Sequence, residues 1–372
     1  MGDCLLVDVL LNPDSVVELT LSDWDVLIPQ ARVTGLVASL YHRIMRCELL
    51  HKVPERPRAQ LYSTWLVHLK QKQSVGYELR WLRKAYGDAS ERLLLLKGAA
   101  YIASGLPAAE GRLMSDIDLL VPEKNIARVE SVLNDYGWLP GRHSAYDERY
   151  YRKWMHEIPP LGHEERESTL DVHHTILPPT SRVKLQPDKL FADAIEVSDG
   201  LFSLSPADMV LHSAAHLFHE GEFQHGLRDL WDLDRLLRFW AESDAFWEKL
   251  ITRAEELGLM TPLFYGVRYT AFFFKTPIPD EINRKIIQWR PGKVLFPLVD
   301  FMFRQAFVPN HSSCKRRCAG VSEFLLYVRS HYLRMPLYLL IPHLARKAWV
   351  GFFDVGNQQG EFGETGDEGN PV

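Results

Sequence analysis

Three aspartates have the type and spacing for metal chemistry. Asp116 and Asp118 stand two apart in Ser115-Asp116-Ile117-Asp118-Leu119-Leu120-Val121, and Asp171 lies in Leu170-Asp171-Val172-His173. Strand side chains alternate between faces, so Asp116 and Asp118 should point one way and Ile117 and Leu119 the other. The same alternation groups Thr169, Asp171 and His173 on one face. The Cα atoms of an i, i+2 pair lie about 6.5–7 Å apart. Carboxylates that close raise one another's pKa unless a cation sits between them. Hard oxygen ligands with room for phosphate oxygens suit Mg²⁺. Just upstream, Leu93 to Leu96 reads as a strand covered on both faces, followed by a tight turn at Lys97-Gly98 and a short helix. Gly98 would let the backbone approach a bound group, and the opening helix would offer N–H groups to an anion. A lone D-x-D also fits solvent-facing strand acids, or a metal-dependent glycosyltransferase that holds a nucleotide-sugar. The ordered set of strand, Lys-Gly turn, helix, D-x-D strand and a later strand with Asp171 favours phosphate and metal chemistry.

Other constellations carry blander readings. His212, His216 and His219 line one face of a helix at i, i+4, i+7. With no glutamate in the H-E-x-x-H position and no third ligand evident, they read as a polar face turned toward the cleft rather than a dedicated metal site. His311, Cys314 and Cys318 lie in a basic stretch without a matching ligand pair and read as structural or exposed. The segment from Val321 to Phe353 mixes aromatic residues with Arg329, Arg334, Arg346 and Lys347. Peripheral membrane contact is a weak option there, because Pro336 and Pro342 interrupt a long amphipathic helix.

The elements that must position the aspartates follow from periodicity. Residues 1–90 read as helical, with Val37, Leu40, Tyr41 and Ile44 on one face and a long helix from Arg58 to Tyr86 in which Gly76 is the point for a break. After the D-x-D strand, Pro122 ends the ladder, and Ile126, Val129, Leu133 and Tyr136 form a helical stripe stopped by Gly137. Residues 141–153 read as a solvated loop or edge; a wall contacting phosphate or acceptor is the sharper alternative. Trp154–Leu161 and Thr169–Ile176 resemble two strands of one sheet. Ser205-Pro206-Ala207-Asp208 opens a helix with a weak capping box, and Arg228, Asp232 and Arg235 share a face of the next. The expected fold is α+β: a small mixed sheet at 91–204 between helical regions at 1–90 and 205–353, with a disordered acidic tail at 354–372.

Composition bounds the function. With 372 residues, 46% hydrophobic content and a mean hydropathy of −0.17, the chain can build two or three domains with a real core. A net charge of −5 argues against a generic nucleic-acid surface. Four scattered cysteines give no disulfide framework, which fits a reducing cytoplasm. The first residues carry acids and no basic n-region, Leu6 stands where a myristoylation signal needs Ser or Thr, and no apolar run approaches the ~20 residues that span a bilayer.

Leu95-Leu96-Lys97-Gly98-Ala99-Ala100, Gly111-Arg112, Ser115 to Val121, Leu170 to His173 and Leu227-Arg228-Asp229-Leu230 together resemble an uncharacterised bacterial nucleotidyltransferase-like family of the polymerase-beta-type superfamily. The resemblance covers most of residues 30–240. It implies an enzyme that moves a nucleoside monophosphate from an NTP to an acceptor, a small molecule or a protein, with release of pyrophosphate. It further implies Mg²⁺ held by Asp116, Asp118 and Asp171, which would also be the catalytic residues. Ala99 stands where the superfamily has Gly or Ser, so the phosphate seat falls to Lys97, Gly98 and Arg112. A catalytically inactive module that binds nucleotide or a partner protein is the alternative.

Overall fold

In a computed structural model of the chain, the described residues are 4–86, 92–141, 144–198, 200–219, 221, 223–292 and 294–342. The acidic tail at 354–372, and Arg346 and Lys347, lie outside them. The fold is α+β. Seven strands form one mixed sheet: β1 (Leu93–Leu95), β2 (Ile117–Leu120), β3 (Trp138–Pro140), β4 (Leu161–His163), β5 (Thr169–His173), β6 (Ile195–Ser198) and β7 (Leu201–Ser203). Their order is β3-β4-β5-β2-β1-β7-β6. β1 runs antiparallel to β2 and parallel to β7, while β2 and β5 run parallel. The central position of β1 explains its leucines, all buried, because both faces are covered. A continuous apolar core runs from Leu6 to Leu326 and joins the sheet to the helices on both sides.

Several elements differ from the periodicity reading, each for a local reason. The long helix spans Glu55–Tyr86 without interruption at Gly76. Residues 145–154 form a helix rather than a loop, because Ser144 and Asp147 close a reciprocal capping box and Tyr146, Tyr150 and Trp154 contact one another at helical spacing. The strand expected at Trp154–Leu161 is confined to Leu161–His163; Pro159 and Pro160 have no N–H to donate, and upstream only Glu157 bridges to His173. At Ser205 the serine caps Asp208 N–H, yet the Asp208 carboxylate turns to Arg253, 2.9 Å away, and leaves the box half made. The hairpin of β6 and β7, which extends the sheet beyond β1, was not anticipated.

Helices at the amino end reach the site through Gly111. Its φ of +78° is left-handed, and a Cβ there would lie 2.3 Å from Ser39 N in the helix Val37–Arg46. Its N–H donates to Nε2 of fully buried His68, whose Nδ1–H donates to the Arg112 carbonyl. One neutral imidazole thus fixes the backbone on both sides of the 111–112 peptide. Gly111→Ala is expected to cost about 3 kcal/mol or more through backbone strain and clash. Gly76→Ala, in a helix interior with nothing within 4 Å of the added methyl, should stabilise by about 0.5–1 kcal/mol. Thermal melts of the two variants must therefore move in opposite directions.

Near the carboxyl end of the helix Pro206–His219, the His219 ring is buried and its Nδ1–H donates to the Ala215 carbonyl. Burial, with Arg329 and Arg334 nearby, pushes its pKa down to about 4 against that hydrogen bond. An unfolded histidine titrates near 6.5. Between these values the unfolded chain holds a proton that the folded chain does not, so stability falls as pH falls. Acidification from pH 6.5 to 4 should cost about 3 kcal/mol through this residue. Melting temperatures of His219→Gln at pH 7, 6 and 5 should fall less steeply than those of the wild type; parallel slopes would refute the assignment.

Candidate active site

The turn after β1 is built differently from a simple glycine turn. Lys97 itself has a φ of +42°, an uncommon conformation for a non-glycine residue, and opens the short helix Lys97–Ala103. Gly98 is needed for packing: a Cβ there would lie 2.5 Å from Met114 Sδ and 3.2 Å from Arg112 Nη1. The close approach that glycine permits is thus made by the chain's own side chains. Arg112 Nε donates to Asp232 Oδ2 at 2.7 Å, and its guanidinium lies 6.0 Å from the Tyr101 ring centre. Burial pushes Asp232 up to about 6 in spite of Arg112. Arg112 accordingly ties the turn to the helix Gly226–Trp240.

The register of β2 and β5 sets Asp118 directly beside Asp171. Asp116 stands one residue ahead of β2, at its mouth. Asp118 is buried, with Oδ1 accepting from His173 Nε2 at 3.1 Å and facing Lys97 Nζ at 3.5 Å. Burial opposes its charge, but Lys97, His173 and the more distant His216 outweigh burial and hold it far below the usual carboxylate range. Asp171 goes the other way: burial, then Glu157, Asp118 and Asp116, push it up to about 7 against His173. Its Oδ1 is buried and has no hydrogen-bond partner. Oxygen donors on adjoining strands, one of them an unpartnered buried oxygen, fit a hard divalent cation.

A second group adjoins the first. The Glu157 carboxylate lies 3.5 Å from His173 Nε2 and 3.7 Å from His156 Nε2. Burial would lower the His173 pKa, but its bond to Asp118 and the Glu157 charge raise it. His156 is held well below its ordinary value by burial, His173 and Lys97. Among the described residues, the three-residue group whose donor atoms gather within 4.8 Å is His156, Glu157 and His173 rather than the three aspartates. Sequence reasoning placed His173 on the face of Asp171 but missed His156 and Glu157. The adjacent His-Glu pair ahead of two prolines was the available signal.

The helical histidines also reach this centre. Burial, Lys97 and His173 push His212 down to about 3, and burial, Lys97 and His212 hold His216 well below its usual range. Both are neutral walls beside Lys97 and Asp118, while His219 belongs to the protein interior. A cleft of 680 Å³ opens between the helix Glu55–Tyr86 and the starts of β2 and β5, with Asp116, Gln71, Glu78, Arg166 and Thr169 among its walls. That volume falls in the range of small-molecule pockets, about 300–1,000 Å³. Arg166 is paired with Glu78 through two hydrogen bonds and lies 4.9 Å from the Trp138 ring centre.

No curated protein and no solved structure shows significant similarity to the chain. The profile of a family described as an uncharacterised nucleotidyltransferase matches residues 20–275, a span that contains the whole sheet, the aspartates, the Lys97 turn and the histidine helix. With more than half of its length matched, the chain belongs to this uncharacterised nucleotidyltransferase family.

Proposed function

We propose that the chain transfers a nucleoside monophosphate from an NTP to an acceptor in a Mg²⁺-dependent reaction. The acceptor oxygen bonds to the α-phosphorus, the bond from that phosphorus to the β-phosphate oxygen breaks, and pyrophosphate leaves. The observation that carries the reading is the pairing of Asp118 with Asp171 across parallel strands, with Asp116 at the mouth of the adjoining cleft. Mg²⁺ held by Asp116, Asp118 and Asp171 would neutralise the triphosphate and the leaving pyrophosphate and make the acceptor oxygen more acidic. Asp171, with an oxygen unpaired inside the protein, is assigned to receive the acceptor proton. Lys97, on the Asp118 side, is assigned to the phosphates. Arg112, paired with Asp232, would support the Lys97–Gly98 turn from behind. The nucleoside would occupy the cleft between the long helix and the sheet.

One observation favours a non-catalytic nucleotide-binding module instead. Met114 fills the space over Gly98, and buried Ala99 offers no hydroxyl there. The two readings part in assays with α-phosphate-labelled NTPs, Mg²⁺ and host lysate as acceptor source. Labelling of an acceptor supports transfer; good NTP binding without labelling supports the module.

Asp118 is a poor site for a test by substitution, because its loss would leave Lys97 and His173 without their buried partner. Asp116→Asn is the cleaner variant and should abolish transfer and weaken Mg²⁺–NTP binding with little change in melting temperature. Full activity in that variant would sink the metal assignment. Asp171→Asn should lower the rate on the order of 100-fold with little loss of NTP affinity. Its melting temperature at pH 8 should rise, because a carboxylate whose charge is opposed by burial first and then by three acidic neighbours is removed. Turnover and melts measured side by side on each protein decide both points.

A further inference from the structure

We propose that His156, Glu157 and His173 form a binding site for a divalent ion of the Zn²⁺ type beside Asp118. The inference stands on geometry outside the three aspartates and does not depend on the nucleotidyl-transfer reading. Zn²⁺ binds imidazole nitrogen and carboxylate oxygen at about 2.0–2.2 Å, so two of its ligands at a tetrahedral angle stand about 3.4 Å apart. The separations between Glu157 Oε2 and the Nε2 atoms of His173 and His156 are 3.5 and 3.7 Å. All three donor atoms lie within 4.8 Å of one another. Asp118 Oδ1, 3.1 Å from His173 Nε2, adjoins the group. Because Lys97 Nζ already stands 3.5 Å from that oxygen, the proposed ligands are His156, Glu157 and His173.

Hydrogen bonding alone does not explain the cluster. His156 is 8% exposed, and its Nε2 is 3.7 Å from the Glu157 carboxylate, beyond a hydrogen bond. A buried imidazole nitrogen without a hydrogen bond is costly unless something binds it. His173 Nε2 faces oxygens of both Asp118 and Glu157, although one N–H can serve only one of them well. The backbone holds the ligands in place. Glu157 bridges to His173, Ile158 N–H donates to the Val172 carbonyl, and His174 N–H donates to the His156 carbonyl. Two imidazoles and a carboxylate prefer Zn²⁺ to Mg²⁺, whose usual ligands are oxygens.

The test is Co²⁺ titration of the full chain after chelator dialysis, followed by visible absorption. Expected are a saturable band of four-coordinate Co²⁺, its loss on adding Zn²⁺ but not Mg²⁺, and at least ~10-fold weaker Co²⁺ binding in His156→Gln and in Glu157→Gln. Asp116→Asn should keep the band. Absence of the band in the wild type overturns the proposal, as does a band kept in both His156→Gln and Glu157→Gln but lost in Asp116→Asn. A readout without any substitution guards against misfolded variants: Zn²⁺ should raise the melting temperature of the chelator-dialysed wild type, and Mg²⁺ at the same concentration should not. Equal melting temperatures with and without Zn²⁺ overturn the site. No nucleotide enters either measurement, so a failed transfer assay does not bear on it.

Discussion

Acidic side chains crowded on two adjoining interior strands are the constraint on which this structure depends. The parallel register of β2 and β5 leaves Asp118 and Asp171 side by side, and Glu157 and Asp116 add their charge. Like charges at such range cannot all be ionised without positive partners. Lys97 lies against Asp118, and His173 gives its hydrogen bond to Asp118 while only its charge reaches Asp171. That asymmetry separates two neighbouring carboxylates into one held far down and one pushed up to about 7. Environments that split a pair in this way assign the two members different work.

The partners of Asp118 are themselves held under constraint. Lys97 reaches it from a left-handed backbone conformation that costs of order 1 kcal/mol or more for a residue with a side chain. What keeps the turn in that shape lies behind it: Met114 and Arg112 packed over Gly98, Arg112 bonded to Asp232, and Gly111 pressed against the helix Val37–Arg46. This ion pair links residues 112 and 232, far apart along the chain. Helices before and after the sheet therefore act on the same turn, and the apolar core that joins them is continuous.

The sheet centre was legible because its signals are local. Four leucines mark a doubly covered strand, and the i, i+2 aspartates mark a face. The face shared by Asp171 and His173 could be read from alternation alone. What could not be read is which strands lie together. Nothing local tells that Asp118 pairs with Asp171 in register, or that β7 joins β1 from the far side of the helix Asp188–Ala192. Gly98 was read as room for a ligand because a glycine reports only that something comes close, not what; here Met114 does. Arg112 looked available to phosphate for the same reason, since its buried partner Asp232 lies on a distant helix. His156 and Glu157 escaped notice because a single bridge to His173, not a ladder, brings them in.

Donor chemistry divides the centre. Asp116 and Asp171 offer oxygen donors only, whereas His156 and His173 with Glu157 offer two imidazoles and a carboxylate. Hard ions that keep their water favour the first set, and borderline ions that accept imidazole favour the second. Lys97, 3.5 Å from Asp118 Oδ1, is a fixed cation beside Asp118. A cation bound at either set would have to tolerate that charge, and the acids that crowd Asp171, Glu157 first and then Asp118 and Asp116, are what would offset it.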